Sequence, residues 1–498
     1  MDLLSNLALG LSVVFTPINL LFCFVGALIG TLIGVLPGLG PATTIAMLLP
    51  ITYLLPPDTA IIMLSGIYYG AQYGGSTTSI LVKLPGEASS VITVLDGYAM
   101  TEKGRGGAAL AVAAVGSLFA GTVATLLIAL FSPTLAQVAL QFGSPEYFSL
   151  IVFGLVASVV LSQGSVLKSL AMVILGLFLA TVGSDLTTGV RRYTFGFPQL
   201  ADGIDFVPLV IGLFGIADVI ANLESKEGRP TVPTIGGLWP SREEARRSIW
   251  PIIRGTSVGS VLGLLPGGGA MLSSFAAYFL EMKVSKNASE LGKGAIEGVA
   301  APEAANNAGA QTSFIPMLTL GIPANSVMAI MIGALLIQGI TPGPRIMTEQ
   351  APLFWGLVVS MWIGNLMLVV INLPLIGIWV KLLGIRYRLL FPAILLICAI
   401  GAYSLNNSTF DIVLVAVFSA AGYILLKLDC RPTPLILGFI LGPFLEENLR
   451  RSLIVSYGSP TVFIEKPLSL AFLLLALAML AVPLVPRLRK QREALSDS

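Results

Sequence analysis

Stretches in which nearly every position is apolar recur along the whole chain, at roughly 7–36, 41–56, 59–82, 107–131, 147–182, 206–222, 249–280, 314–340, 352–383, 389–404, 410–428, 433–445 and 467–485. A transmembrane helix needs about 20 such residues, because it rises about 1.5 Å per residue and the hydrocarbon core is about 30 Å thick. Some runs are long enough for two crossings and others too short for one. The pattern therefore predicts about eleven to thirteen spans, the short ones partial. The runs are continuously Leu, Ala, Ile and Val, which argues against a transmembrane β-barrel, whose strands alternate in polarity over about ten residues. The expected fold is all-α and polytopic in the membrane.

Breaker residues interrupt this pattern at related places. Gly34-Val35-Leu36-Pro37-Gly38-Leu39-Gly40 and Gly263-Leu264-Leu265-Pro266-Gly267-Gly268-Gly269 share a pattern 229 positions apart, Gly34 to Gly263. A second pair follows, Pro85-Gly86-Glu87-Ala88-Ser89-Ser90-Val91 and Pro323-Ala324-Asn325-Ser326-Val327. The halves read as a duplication, with a first membrane repeat region at 1–222, a cytoplasmic loop at 223–248, and a second repeat region with additional C-terminal helices at 249–498. Whether this is an inverted repeat or a parallel one stays open at this level.

Proline removes a helix hydrogen bond and glycine loosens the backbone, so each Leu-Pro-Gly motif should end one helix and begin another at membrane depth. Lipid permits such a break only where it faces protein or water, and interrupted segments at matching places in two repeats point to a transporter's midplane site. The piece at about 270–280 would span about 16 Å, half the hydrocarbon thickness. A re-entrant hairpin is one reading of it and a single long kinked helix the other.

Composition narrows the class. Of 498 residues, 55% are hydrophobic and 11% charged, against about 25% charged in soluble domains. The longest polar interval, Leu223 to Ser248, is too short to bury a core, so no soluble domain is expected. A net charge of +2 spread over separate loops gives no footprint for nucleic acid. Arg and Lys in the 223–248 loop and in the tail (Arg487, Arg489, Lys490, Arg492) mark both as cytoplasmic. No Lys or Arg precedes Lys83, the opposite of a signal peptide's basic start, so the first run should be retained and the N-terminus should face outward. Cys23, Cys398 and Cys430 are far apart and read as small buried side chains, without disulfides or a metal site. There is no His, no Walker lysine and no Cys cluster, which removes most enzyme and ATPase chemistry and any expectation of a cofactor.

The breaks carry chemistry that lipid does not tolerate unpartnered. In the first half the candidates are Pro37, Gly38, Gly40, Thr43, Thr44, Ser76, Thr77, Thr78 and Lys83. In the second they are Pro266, Gly267, Gly268, Ser273, Ser274, Glu303, Asn306, Asn307, Thr312, Ser313 and Asn325. Free N–H groups at a half-helix N-terminus attract carboxylates, and hydroxyls and amides add donors. The same amide, hydroxyl and carbonyl oxygens suit Na⁺, whereas Glu297 or Glu303 would carry H⁺; the sequence leaves the two ions open. Any single hydroxyl here is more simply read as bonding its own helix, so the clusters carry the argument. For Lys83 the alternative to a substrate contact is snorkelling or pairing with Glu87.

The strings Gly34-Val-Leu-Pro-Gly-Leu-Gly-Pro41, Tyr73-Gly-Gly-Ser-Thr-Thr-Ser79, Asp96-Gly-Tyr98, Gly104-Arg-Gly106, Glu297-Gly-Val-Ala-Ala-Pro-Glu-Ala-Ala-Asn-Asn-Ala308 and Leu320-Gly-Ile-Pro323 resemble the large membrane subunit of the tripartite tricarboxylate transporter family. The resemblance covers most of the chain and is weakest over the last hundred residues. It implies a bacterial inner-membrane importer of small carboxylates, driven by a Na⁺ or H⁺ gradient, that works with a small membrane subunit and a periplasmic solute-binding protein. Two positions depart from the family pattern: Lys83, where a neutral polar residue is expected, and Ala324-Asn325, where Gly-Ser is more usual. Both bear on substrate choice. A passive channel for small organic anions is the competing class, and an intramembrane hydrolase built on Ser76 or Ser273 lacks a base at recognisable spacing.

Overall fold

A computed structural model describes residues 3–36, 39–162, 165–185, 187–224, 236–383 and 387–481. They are helical almost throughout, with one hairpin in which Gly183–Ser184 pairs antiparallel with Arg191–Arg192. In the first half run α1 (Leu3–Val14), α2 (Pro17–Val35), α3 (Pro41–Tyr53), α4 (Pro57–Val82), α5 (Thr93–Glu102), α6 (Gly106–Ala139), α7 (Ser144–Leu161), α8 (Val166–Ala180) and α9 (Phe206–Glu224). The second half has α10 (Arg242–Leu262), α11 (Gly269–Val284), α12 (Glu297–Thr312), α13 (Phe314–Leu320), α14 (Ser326–Ile337) and α15 (Ala351–Asn372). It closes with α16 (Ile376–Leu382), α17 (Tyr387–Asn406), α18 (Thr409–Lys427), α19 (Thr433–Val455) and α20 (Pro467–Ala481). Helices α2, α6, α7, α9, α15 and α18 are long and apolar enough to cross a membrane, and shorter apolar helices stand beside them. The chain is an all-α polytopic membrane protein.

Breakers divide the long apolar runs. The run at 7–36 splits before Pro17, which opens α2 at the helix position where a missing N–H costs nothing. The run at 249–280 splits between α10 and α11, and that at 314–340 between α13 and α14, where Gly321 adopts a left-handed φ of 70°. The half-helix after the second break is longer than expected: α11 has 16 residues, about 24 Å, still short of the hydrocarbon thickness. It packs against both α10 and α12.

Polarity runs from inside to outside. Every residue of α12 is buried, including Glu303, Asn306, Asn307 and Gln311, and α4 is buried continuously from Thr59 to Val82. Large apolar side chains are exposed on the outer helices instead, for example Phe131 on α6 and Val417 on α18. Such a distribution suits a chain whose solvent is lipid and whose interior holds the polar work.

Two helix pairs cross at close range on glycine. A Cβ on Gly26, Gly30 or Gly34 of α2 would lie 2.3–2.4 Å from the carbonyl oxygens of Met63, Ile67 and Ala71 on α4. In the same way, a Cβ on Gly255 or Gly259 of α10, or on Gly263 just after it, would lie 2.2–2.5 Å from the carbonyls of Ala301, Ala305 and Gly309 on α12. The three glycines of one pair precede those of the other by 229 positions, and their carbonyl partners by 238. Small residues at every fourth position let backbones touch, which is how membrane helices gain packing when lipid supplies no hydrophobic drive. The half-helices then cross between halves: α11 packs on the turn that begins at Ala88, and α3 on α14, which begins 238 residues later at Ser326.

Candidate functional site

The site forms where α4, α5, α6, α12 and the Ala88–Ser90 turn meet. Glu303, 0% exposed, accepts a hydrogen bond from Ser76 Oγ of α4 at one carboxyl oxygen and from Thr93 Oγ1 of α5 at the other, the latter at 2.5 Å. Glu87, partly buried at the start of the turn, accepts from Ser89 Oγ, and Ser89 also reaches Gln72 Oε1 at 2.8 Å. Between the two carboxyls lies the Asn306 amide, 0% exposed, which faces both without making a hydrogen bond of normal geometry at either Nδ2 or Oδ1.

Helical spacing extends the polar face. Asn307, one turn beyond Glu303, donates to Ser117 Oγ of α6 at 2.7 Å and to the Glu303 carbonyl at 3.2 Å, and its own oxygen is unpaired. Gln311, one turn further, accepts from Thr125 of α6 at 2.7 Å. Residues four apart lie on one face of a helix, so Glu303, Asn307 and Gln311 form one stripe, the last two bonded to α6. A narrow cleft of about 10 Å³ opens beside this stripe, lined among others by Tyr73, Ser76, Thr77, Ser117 and Asn372. That is about the room one water molecule needs and far below the roughly 300–1,000 Å³ usual for small-molecule sites.

Fixed ion pairs frame the cluster. Asp96 of α5 is wholly buried and accepts from the backbone N–H groups of Gly292, Gly294 and Ala295 and from Tyr278 Oη, tying the first half to the loop before α12. Glu297, raised above as an H⁺ carrier, is bound by Arg247 at 2.8 and 2.9 Å and by Asn287 at 2.7 Å, a structural clamp. Arg254 holds the buried Glu281 at 2.7 and 2.8 Å. Unlike Glu297 and Glu281, Glu303 has only neutral partners: Ser76, Thr93 and the Asn306 amide beside it.

The other expected residues fall into three groups. Pro37 and Gly38 lie outside the described residues, as do the basic tail and Lys226 and Arg229 of the loop. Several hold the breaks in shape. Thr44 bonds the Gly40 carbonyl at 3.0 Å and Ser273 that of Gly269 at 2.7 Å, the same bond 229 positions on. Thr78 holds the end of α2 through the Val35 carbonyl at 2.9 Å, and Ser313 bonds Gly309 at 2.6 Å and Gly263 at 3.2 Å. Thr312 bonds within α12, and Pro266 is buried beside Gly267, whose N–H reaches the Ala324 carbonyl at 2.8 Å. Gly40 and Gly268 cap α3 and α11 without any side-chain acceptor, and Ser274 Oγ is buried and unpaired on α11. Asn325 caps α14 and donates to Tyr68 Oη at 3.1 Å. Two residues stand apart from the cluster. Thr43 turns to Asp218 on α9 at 2.9 Å, and Lys83 is exposed at the end of α4 with its Nζ 5.8 Å from the centre of the Tyr98 ring.

Sequence reading left Glu87, Thr93, Gln72, Ser117 and Asn372 out of the site. Asn372 carries a usable signal, an amide inside an otherwise apolar run. Thr93 and Ser117 carry none, since a lone hydroxyl among apolar residues is ordinary helix sequence.

A protein of *Agrobacterium vitis* described as an uncharacterized 52.8 kDa protein in the TAR-I ttuC' 3' region is 57% identical over 494 residues, 99% of this chain and 98% of that protein. A second from the same organism, described as an uncharacterized protein in the TAR-II ttuC' 3' region, is 57% identical over 235 residues, 47% of this chain and 97% of its own length. No solved structure matches. The family model described as the tripartite tricarboxylate transporter TctA family matches residues 20–437, which span both breaks and the whole buried cluster, and the chain belongs to that family.

Proposed function

We propose that this chain is the large permease subunit of a tripartite secondary transporter that imports small, tricarboxylate-like carboxylates across the bacterial inner membrane, driven by an ion gradient. It works with a small membrane subunit and a periplasmic solute-binding protein, and it has no catalytic centre or resident cofactor. The observation that carries this reading is the polar face of α12, where Glu303, Asn306, Asn307 and Gln311 are each 0% exposed and Glu303 has only neutral partners. Ionisable and amide groups at such a depth are costly and belong to substrate and ion pathways.

Substrate delivered on the periplasmic side meets the uncapped N-termini of α3 and α11, where first-turn N–H groups suit carboxylates. The ion binds at the Glu303, Asn306 and Asn307 face. The two glycine-packed pairs, α2 with α4 and α10 with α12, are read as two related repeats, one of which moves against the other. Their matching offsets support that reading.

The test is to place the chain in vesicles with its two partner subunits and follow labelled carboxylates under separate Na⁺ and H⁺ gradients. Accumulation that requires the binding protein and one gradient supports the proposal. Equilibration without accumulation would replace it with a passive channel.

A further inference from the structure

Two serines of the buried cluster each face two acceptors. Ser76 Oγ lies 2.9 Å from the Gln72 carbonyl oxygen and also contacts Glu303 Oε2. Ser89 Oγ lies 2.8 Å from Gln72 Oε1 and also contacts Glu87 Oε1. A serine hydroxyl has one hydrogen to give. If both carboxyls are ionised, each serine serves one acceptor and meets the other oxygen lone pair to lone pair. If a carboxyl carries a proton, it donates to its serine, the serine donates onward to Gln72, and every contact in that chain is filled. The two chains end on different oxygens of one residue, Glu303 through Ser76 on the Gln72 main-chain carbonyl and Glu87 through Ser89 on its side-chain amide oxygen.

Asn306 completes the count. Its amide is 0% exposed, lies against both carboxyls, and has one donor group and one acceptor unpaired. An ionised carboxylate only accepts, and a carboxylic acid can also donate. The free donor and free acceptor of Asn306 therefore match a pair in which one carboxyl is ionised and the other protonated, which is also how two neighbouring carboxyls avoid facing each other as like charges.

Among the described residues, the surroundings supply no positive charge to this pair. From α4, Tyr73 faces Glu303 and Tyr68 faces Glu87, while Asp58 lies at the far end of that helix and Lys83 at its exposed close. On α5, Asp96 is taken up by backbone amides, and Lys103, just past its end, reaches the Lys293 carbonyl. Arg247 and Arg254 of α10 are committed to Glu290, Glu297 and Glu281. Helices α6 and α15 contain no Asp, Glu, Lys or Arg.

We propose that Glu87 and Glu303 share an exchangeable proton and that this proton is the ion coupled to carboxylate import. The pair takes it up while open to the periplasmic side and releases it to the cytoplasm, with Gln72 and Asn306 holding the two carboxyls in either state. This inference rests on the transport function proposed above and assigns its ion. A Na⁺ site on the same oxygens is the outcome that opposes it.

Two readouts separate the inference from the reading beneath it. Infrared difference spectra of the purified full chain, taken across a pH titration without substrate, should show a protonated-carboxyl C=O band that is lost in Glu303→Gln and altered in Glu87→Gln, both variants remaining monodisperse. In vesicles holding the assembled transporter, wild type should accumulate carboxylate under an inward H⁺ gradient. Glu303→Gln and Glu87→Gln should lose that accumulation and keep exchange of labelled for unlabelled substrate. Accumulation driven by Na⁺ alone, with no titrating band, overturns the proton and leaves the transporter. A titrating band in a chain that moves no carboxylate keeps the proton site and overturns coupling to import. If Glu303→Gln does not assemble, the same two readouts on Glu87→Gln decide.

Discussion

Ser76 and Glu303 stand 227 positions apart in the chain and meet in its buried centre, where the serine hydroxyl donates to the carboxylate. The contact joins the two halves at a fully buried carboxyl whose partners are all neutral. Everything around it is arranged to bring α4 and α12 within reach: glycine-packed partners on their outer sides, and Asp96 clamping the loop that leads into α12.

The two adjacent asparagines differ in what alanine would remove. Asn307→Ala removes the 2.7 Å bond to Ser117 and should cost about 1 kcal/mol. Asn306→Ala removes a fully buried amide that lies against the Glu87 and Glu303 carboxyls and should cost about 1–3 kcal/mol. Thermal melts of the purified chain read both, and no loss for Asn306→Ala would show that its amide holds neither carboxyl.

The glycine crossings should respond alike in the two halves. Gly30→Val and Gly259→Val drive side chains into carbonyls 2.4 and 2.3 Å from the new Cβ, an overpacking expected to cost at least about 1–3 kcal/mol. Gly377→Val, where nothing lies within 4 Å, is the control. Folded yield and melting temperature should fall for the first two only.

Glu297 should behave as a structural partner of Arg247. A double-mutant cycle with Glu297→Gln and Arg247→Gln is expected to give a coupling of about 2 kcal/mol, between the values for exposed and buried pairs, since the guanidinium is 26% exposed and the carboxylate 4%. Coupling near zero would return Glu297 to the candidates for ion binding.

On the hairpin between α8 and α9, the Thr188 backbone N–H and the Arg450 guanidinium hold the Asp185 carboxyl well below its usual range. A carboxyl lowered in the folded state stabilises the fold above its unfolded value of about 3.9 and loses that contribution as the pH falls. The melting-temperature gap between wild type and Asp185→Asn should therefore be constant from about pH 8 to about pH 5 and shrink below about pH 4. A gap that widens on acidification would contradict the assignment.

Much of this was legible in the sequence because lipid makes strong demands. Continuous apolar runs gave the helices, and paired Leu-Pro-Gly motifs located the breaks, because proline and glycine act locally on the backbone. Glu303, Asn306 and Asn307 stood out because amides and carboxylates are rare at such depth. The rest depended on long-range geometry. Glu87 lies in a short polar segment that reads as a loop, and only the fold brings it against Asn306. Lys83 interrupts an apolar run and left a substrate contact and snorkelling or pairing with Glu87 both open; the fold puts it at the exposed end of α4, beside the Tyr98 ring. Glu297 sits in the same motif as Glu303, and nothing local distinguishes the one clamped by arginine from the one left among hydroxyls.

The buried cluster as the transport site is tested most directly by comparing wild type with Asn306→Ala in vesicles of matched protein content, assembled with the same partner subunits. Wild type should concentrate labelled carboxylate above equilibrium and the variant should not, while the variant stays folded and assembled with its partner subunits. Accumulation by Asn306→Ala at the wild-type rate would contradict the account and move the site elsewhere in the chain.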